Sequence, residues 1–350
     1  PDRDGSPAIV HWGIQCAMEA ADRRRHIDCH SRHTSFPADP ETAGWRAHIG
    51  CSEIMTRKNA IGIISMFYAR PFGKEHFQCF ARAKQAGCDF IELLVPEPGE
   101  LDLAETRTVL ADHGLGIELA ARVNLARDLS SDDEAAQVAG VAYLESCVDI
   151  AAQLGARIVG GPLYGAPLVF AGRAPKPVPE DMRQRRIDQV VAGLKQAGRR
   201  AADQGIVLGI EPLNRFETDI ANTARHGIAL AAMVDQPAVG VMLDTFHMNM
   251  EDPDIPTAIR DCGKRLVHFQ ANENNRDFLG AGHIDWPGVA RALRDIDYSG
   301  PITLEPFRRD DDRPGVTLAQ WRAPQKSEDL ELAASVRLLD AALMFSGRAR

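Results

Sequence analysis

A chain of 350 residues, 45% hydrophobic and 25% charged, excludes a disordered protein and leaves room for one large α/β barrel or two average domains. A net charge of −9 argues against nucleic acid, whose phosphates call for a basic face, and fits a cytoplasmic enzyme acting on a small molecule. The seven cysteines form no CxxC pair and read as reduced thiols; no apolar run approaches the roughly 20 residues of a membrane span, and the start lacks the apolar core of a secretory signal.

In chain order, residues 1–55 come first, with three adjacent arginines (Arg23 to Arg25), clustered histidines and no sustained period. They read as an extension outside the catalytic domain of residues 56–350. His26, Cys29, His33 and Cys51 match no standard zinc spacing. Met55, just before the first patterned strand, marks the expected start of the functional enzyme. From there β-rich runs recur at helix-sized intervals: "IGIISMFY" (61–68), "DFIELLV" (89–95), "GIELAARV" (116–123) and "RIVGGPLY" (157–164). They continue with "IVLGIEPL" (206–213), "VGVMLDTF" (239–246), "LVHFQANE" (266–273) and "PITLEPF" (301–307). Between them lie helical segments with start signals: Ser130 and Ser131 before 133–154, Pro179 before 180–204, and Asp285-Trp286-Pro287 opening 286–296. Ser327 starts a last helix in which Leu330, Ala334, Leu338 and Ala341 share one face. Strands alternating with helices imply parallel pairing, and eight of them over about 250 residues predict an α/β fold, a single (β/α)8 TIM barrel. A doubly wound sheet is the runner-up, weakened because the first βα turn has no GxGxxG.

In such a barrel the chemistry lies at the C-terminal ends of the strands. There the sequence places Glu211, Asp244 and Glu305, each directly after an apolar triplet, with Gln270 near the end of strand 7. A carboxylate at that depth is costly unless paired, hydrogen-bonded or bound to a metal. Four consecutive strands delivering an oxygen to one rim point to a divalent cation site. His268 and Gln270, two apart, share a face. Gln270 should be level with the acids, and His268 one layer deeper as a hydrogen-bonded core residue. "VGGPLYG" is not a P-loop and reads as tight packing at strand 4, which favours a free sugar over a sugar phosphate.

"EPLNRFET" (211–218), "LDTFHMN" (243–249), "NNR" (274–276), "GAGHIDW" (280–286) and "LEPF" (304–307) resemble the ketose 3-epimerases of the xylose isomerase-like barrel superfamily. The resemblance spans roughly residues 60–310. It implies a Mn²⁺ or Mg²⁺ ion, with Co²⁺ a third choice, held by Glu211, Asp244, the strand 7 residue and Glu305. It also implies acid and base roles for Glu211 and Glu305, and sugar contacts from Glu217, His247 and Arg276. The chain departs on strand 7, where epimerases usually read His-Phe-His and this one reads "HFQ". That puts Gln270 at the ligand position, as in the hydroxypyruvate isomerase branch. An all-oxygen set is harder and suits Mn²⁺ or Mg²⁺ better than Zn²⁺ or Cu²⁺.

The expected chemistry is interconversion of ketoses at carbon 3, through a metal-stabilised enediolate with two glutamates moving the proton. The alternatives are an aldose–ketose isomerase of the hydroxypyruvate isomerase type and an inosose dehydratase-like lyase. A metal-dependent endonuclease on the same barrel would need a basic groove, and a non-catalytic sugar-binding protein would not need two glutamates flanking a metal. "MFYARPF" (66–72) is the candidate aromatic wall; "YGAPLVFAGRAPKPVPED" after strand 4 and "RRDDDRPGVTLAQW" after strand 8 are candidate lids or oligomer contacts. The expected partners are a small free sugar and further copies of the chain, as a homodimer or homotetramer, with no nucleic acid and no membrane.

Overall fold

The computed structural model describes residues 58–167, 177–307, 320 and 327–345. The extension over 1–55 lies outside the described residues, as do most of the two long loops after strands 4 and 8. No helix among the described residues is long and apolar enough to cross a membrane.

Eight strands form one closed, all-parallel barrel in chain order: β1 (Ile61–Ile64), β2 (Phe90–Leu94), β3 (Gly116–Ala120), β4 (Ile158–Gly161), β5 (Val207–Ile210), β6 (Val239–Asp244), β7 (Leu266–Ala271) and β8 (Ile302–Leu304). β1 pairs with β8 and closes the ring, which rules out the doubly wound alternative. Every expected strand is present, but each ends before the run proposed for it. The polar residues that follow the apolar triplets have left the ladder, or are leaving it, to line the rim.

Nine helices are described: α1 (Gln78–Ala86), α2 (Leu103–Asp112), α3 (Glu134–Leu154), α4 (Glu180–Gln204), α5 (Ala224–Val234), α6 (Thr245–Glu251), α7 (Ile255–Cys262), α8 (Trp286–Asp295) and α9 (Glu328–Phe345). α3 starts not on Ser130 or Ser131 but on Asp133, whose side chain accepts from the Ala135 N–H. α3 and α4 end on Gly155 and Gly205, both left-handed (φ 82° and 68°), the conformation that lets the chain turn back into the next strand. Between barrel and helices the core is aliphatic and small: Val148 and Ala151 of α3 and Leu194, Ala197 and Ala201 of α4 are buried.

Inside the barrel, Gly160 has no room for a side chain, since a Cβ there would lie 2.4 Å from Met242 Sδ. That is the tight packing expected of "VGGPLYG".

Two expectations are corrected. The run proposed for strand 6 (239–246) stops at Asp244, and the stretch after it is α6, with Asp244 as its N-cap accepting from the Phe246 N–H. In α9 most of the proposed apolar face points outward: Leu330 is 69% exposed, Ala334 and Ala341 are exposed and only Leu338 packs partly on the core, while Leu332, Ser335, Val336 and Leu339 are buried. The two sets lie about two residues apart along the helix, hence on opposite faces, and both are apolar enough to satisfy the periodicity.

Candidate active site

All eight strands, or the residues directly after them, contribute to one cavity at the C-terminal end of the barrel, with about 750 Å³ of free space, part of it open to solvent. Its two halves differ. β1 to β4 supply Ile64, Leu94, Ala120 and Gly161, a smooth and mostly apolar wall; β5 to β8 and the segments just after them supply Glu211, Met242, Gln270 and Glu305. Glu217, His247 and Arg276 line the same space. Asp244, 1% exposed, lies directly behind them. Register puts Asp244 opposite Gln270, and Gln270 opposite Thr303, so the two outermost residues of that row are level, as the strand periodicity required. From "MFYARPF" only Met66 and Arg70 reach the cavity; Phe67, Tyr68 and Phe72 are core, and the aromatic ring at the mouth is Phe307.

The polar half is one hydrogen-bonded cluster. Arg276 Nη1 donates to Asp244 Oδ2 (2.9 Å) and to Glu305 Oε2 (2.7 Å), and its Nη2 lies 3.1 Å from His247 Nε2. His247 Nε2 is 3.5 Å from Asp244 Oδ2 and 3.7 Å from Glu211 Oε1. The other ring nitrogen, Nδ1, accepts from the backbone N–H of Asn214 at 3.0 Å, a donor that cannot rotate away. Burial, and then Arg276, hold the imidazole well below its ordinary pKa. A neutral ring whose Nδ1 is an acceptor carries its single proton on Nε2, which then packs against Arg276 Nη2 without a hydrogen bond and has Asp244 and Glu211 just beyond. Asn214 also donates through Nδ2 to Glu217 Oε1 at 2.8 Å, fixing that carboxylate at the cavity wall.

Burial dominates the acids. It pushes Glu211 well above the usual carboxylate range, with repulsion from Asp244 and Glu305 adding to it. It pushes Glu305 up to about 8, against the pull of Arg276. Asp244 and Glu217 are raised by burial too, again opposed by Arg276. One guanidinium thus faces four carboxylates, and the cluster calls for further positive charge.

Three residues here were not singled out from the sequence. Glu92, in the middle of β2 and fully buried, accepts from Gln270 Nε2 at 3.0 Å and lies 2.8 Å from His268 Nε2. His268 is therefore the deep, hydrogen-bonded core histidine expected, with Glu92 as its partner. Asn272 donates through Nδ2 to both Asp244 Oδ1 (3.0 Å) and Glu305 Oε2 (2.9 Å), tying the two acids together. Glu273 accepts from Trp286 Nε1 and the Gly280 N–H, and so anchors the loop that carries Arg276.

Two features fit a bound divalent cation. Glu211, Asp244 and His247 each offer an atom within 4.8 Å of one another. Gln270 Oε1 is buried without a hydrogen-bond partner. His247 has its lone-pair nitrogen committed to Asn214, which leaves the carboxylates and the Gln270 oxygen as the available donors.

A profile of the xylose isomerase-like TIM barrel family matches residues 80–333. The chain belongs to that family. This family member is 33% identical to the L-ribulose 3-epimerase of Methylomonas sp. (strain DH-1) over 247 residues, 70% of this chain and 84% of the relative. It is also 33% identical to the D-psicose 3-epimerase of Agrobacterium fabrum over 265 residues, 75% of this chain and 89% of the relative. Among solved structures, a D-allulose 3-epimerase from Methylomonas sp. in complex with D-allulose superposes with a TM-score of 0.74 at 27% identity, covering 82% of this chain and 98% of that one. The D-psicose 3-epimerase with D-tagatose from Clostridium cellulolyticum H10 gives 0.73 at 26% identity, with 81% and 99% covered. These relatives place the family member, as an enzyme, among the isomerases.

Proposed function

We propose that this enzyme interconverts free ketoses at carbon 3. The observation that carries the reading is that Glu211 and Glu305, delivered by β5 and β8, line one cavity, with Arg276 bonded to Glu305 and His247 beside Glu211. One glutamate takes the proton from carbon 3, and the electron pair moves toward the carbon 2 carbonyl to give an enediolate. The other glutamate returns a proton to the opposite face, and the reverse reaction exchanges their roles. His247, with its proton on Nε2, donates to the substrate oxygen at carbon 2; Arg276 holds the substrate oxygens, and Glu217 accepts from a sugar hydroxyl. Glu211, Asp244, Gln270 and Glu305 would hold a divalent ion, Mn²⁺ or Mg²⁺ with Co²⁺ as a third choice, which when bound supplies Lewis-acid stabilisation of negative charge on the substrate oxygens.

A second reading, aldose–ketose isomerisation of the hydroxypyruvate isomerase type, is favoured by one observation, the amide at position 270. One experiment separates the two: incubate the metal-loaded enzyme in D₂O with a panel of free ketoses and hydroxypyruvate. Deuterium at carbon 3 of a ketose product is the expected result. An aldose product moves the assignment to the isomerase, and loss of water moves it to a lyase. The enzyme is further proposed to work as a homodimer or homotetramer, which light scattering of the full chain decides.

A further inference from the structure

We propose that Glu92 is a positioning residue that decides which atom of Gln270 faces the cavity, and through it which cations the site accepts. The inference rests on the reading of Gln270 as a metal ligand. A side-chain amide has two ends of nearly equal size and opposite character, an acceptor oxygen and a donor NH₂. Packing alone barely distinguishes them, so a hydrogen-bond partner must. Glu92 is that partner: it is fully buried on β2, across the barrel from β7, and a carboxylate can only accept. Gln270 Nε2 donates to Glu92 Oε1 at 3.0 Å, which turns the NH₂ inward and leaves Oε1 buried and unpartnered in a residue that lines the cavity with Glu211 and Glu305.

His268 locks the other half of Glu92. Its Nε2 lies 2.8 Å from Oε2 and 3.2 Å from Thr303 Oγ1, so both oxygens of Glu92 are engaged below the cavity floor. Glu92 itself is not part of the cavity lining. Its effect on a bound cation passes through residue 270. With the NH₂ turned outward, a cation would meet two N–H donors; with the oxygen outward, it meets a hard, neutral ligand suited to Mn²⁺ or Mg²⁺.

The test is equilibrium Mn²⁺ binding, by electron paramagnetic resonance titration of the chelator-stripped full chain, on wild type, Q270A, E92M and E92M/Q270A. Methionine fills the space of Glu92 but gives Gln270 no acceptor. The expected result is a Mn²⁺ Kd raised roughly 10–100-fold by E92M, the range for groups that orient a metal ligand. The double variant should bind no more weakly than Q270A alone. Wild-type Mn²⁺ affinity in E92M beside weakened binding in Q270A overturns the role of Glu92 and leaves Gln270 as a ligand. Unchanged binding in Q270A removes both. Should E92M fail to fold, E92M/H268L, which makes the buried pair wholly apolar, carries the same expectation.

Discussion

Arg276 reaches the site from a left-handed backbone (φ 60°), a conformation that costs energy for a bulky residue and persists only where its surroundings hold it. Here the Phe307 N–H donates to its carbonyl at 2.7 Å, and the guanidinium lies 3.9 Å and 4.2 Å from the ring centroids of Phe246 and Phe307. A lysine would keep the charge and lose both the planar stacking and the paired donation to Asp244 and Glu305. Arg276→Lys is expected to lower kcat/KM roughly 10–100-fold, since a hydrogen bond to a charged group contributes about 1.5–3 kcal/mol. Steady-state kinetics beside a thermal melt check this, and near-normal kcat/KM in a folded variant would show that the stacked geometry is dispensable. Glu211→Gln and Glu305→Gln should each cost about 10²–10⁴ in turnover while the fold survives, the loss expected when a proton-transfer group is removed; either variant turning over normally removes the two-glutamate scheme. These acids were legible because each follows an apolar triplet at a strand end. Glu92 carries a similar signal in "DFIELLV", but it lies in the middle of its strand, where an acid reads as an isolated oddity. Its meaning appears only when β7 is brought across the barrel to meet it. Asn272, near the end of the run proposed for strand 7, carried no signal of its own until β6 and β8 placed two carboxylates against its amide.

Helix termini show what local sequence can and cannot fix. "DWP" opened α8 as expected: Asp285 accepts from the Gly288 N–H at 3.0 Å, with Pro287 in the first turn. Asp285→Ala should cost about 1 kcal/mol, as for other lost N-caps, read as a shift in the urea midpoint at unchanged slope. α6 was hidden because its cap, Asp244, was already counted as a strand-end site residue, and seven residues carry too little periodicity to be read. Asp252, just beyond α6, accepts from the Ala224 N–H at the start of α5 and so ties the two helices together. Burial pushes its carboxyl up to about 6 from 3.8 despite that bond. The folded state therefore prefers the protonated acid. The stability it contributes is fully present below pH 3.8 and is lost as pH rises through about 6. Asp252→Asn should accordingly gain on wild type across that window and run parallel to it above. Urea midpoints of the two proteins at several pH values measure the difference. Parallel lines through the whole window would place the shift elsewhere.

At the level of the whole molecule, the barrel was legible because its evidence is redundant: eight strand–helix repeats must each fail before the arithmetic does. The rotation of α9 was not, because a single apolar helix offers two faces and only the barrel selects one. The ring closes with β1 at Ile61, and every residue that lines the cavity lies at or after Ile64. A chain beginning at Met55 is therefore expected to fold and to keep the full chain's kcat/KM, and an insoluble or inactive product would mean that residues before Met55 belong to the catalytic unit. The proposed ligands come from β5, β6, β7 and β8, half of the ring, so a cation that binds them also braces the barrel. A ligand that binds only the folded state at 100 times its Kd adds about 2.7 kcal/mol, which for a domain of this size raises Tm by roughly 5 °C or more. Mn²⁺ or Mg²⁺ added to the chelator-stripped protein should produce that rise together with activity, and Zn²⁺ alone should not restore turnover. The rise should vanish in Asp244→Asn, because the substitution takes a negative charge and an anionic oxygen out of the proposed ligand set. A full thermal shift in that variant would place the stabilising cation outside the barrel mouth, whatever the activity showed.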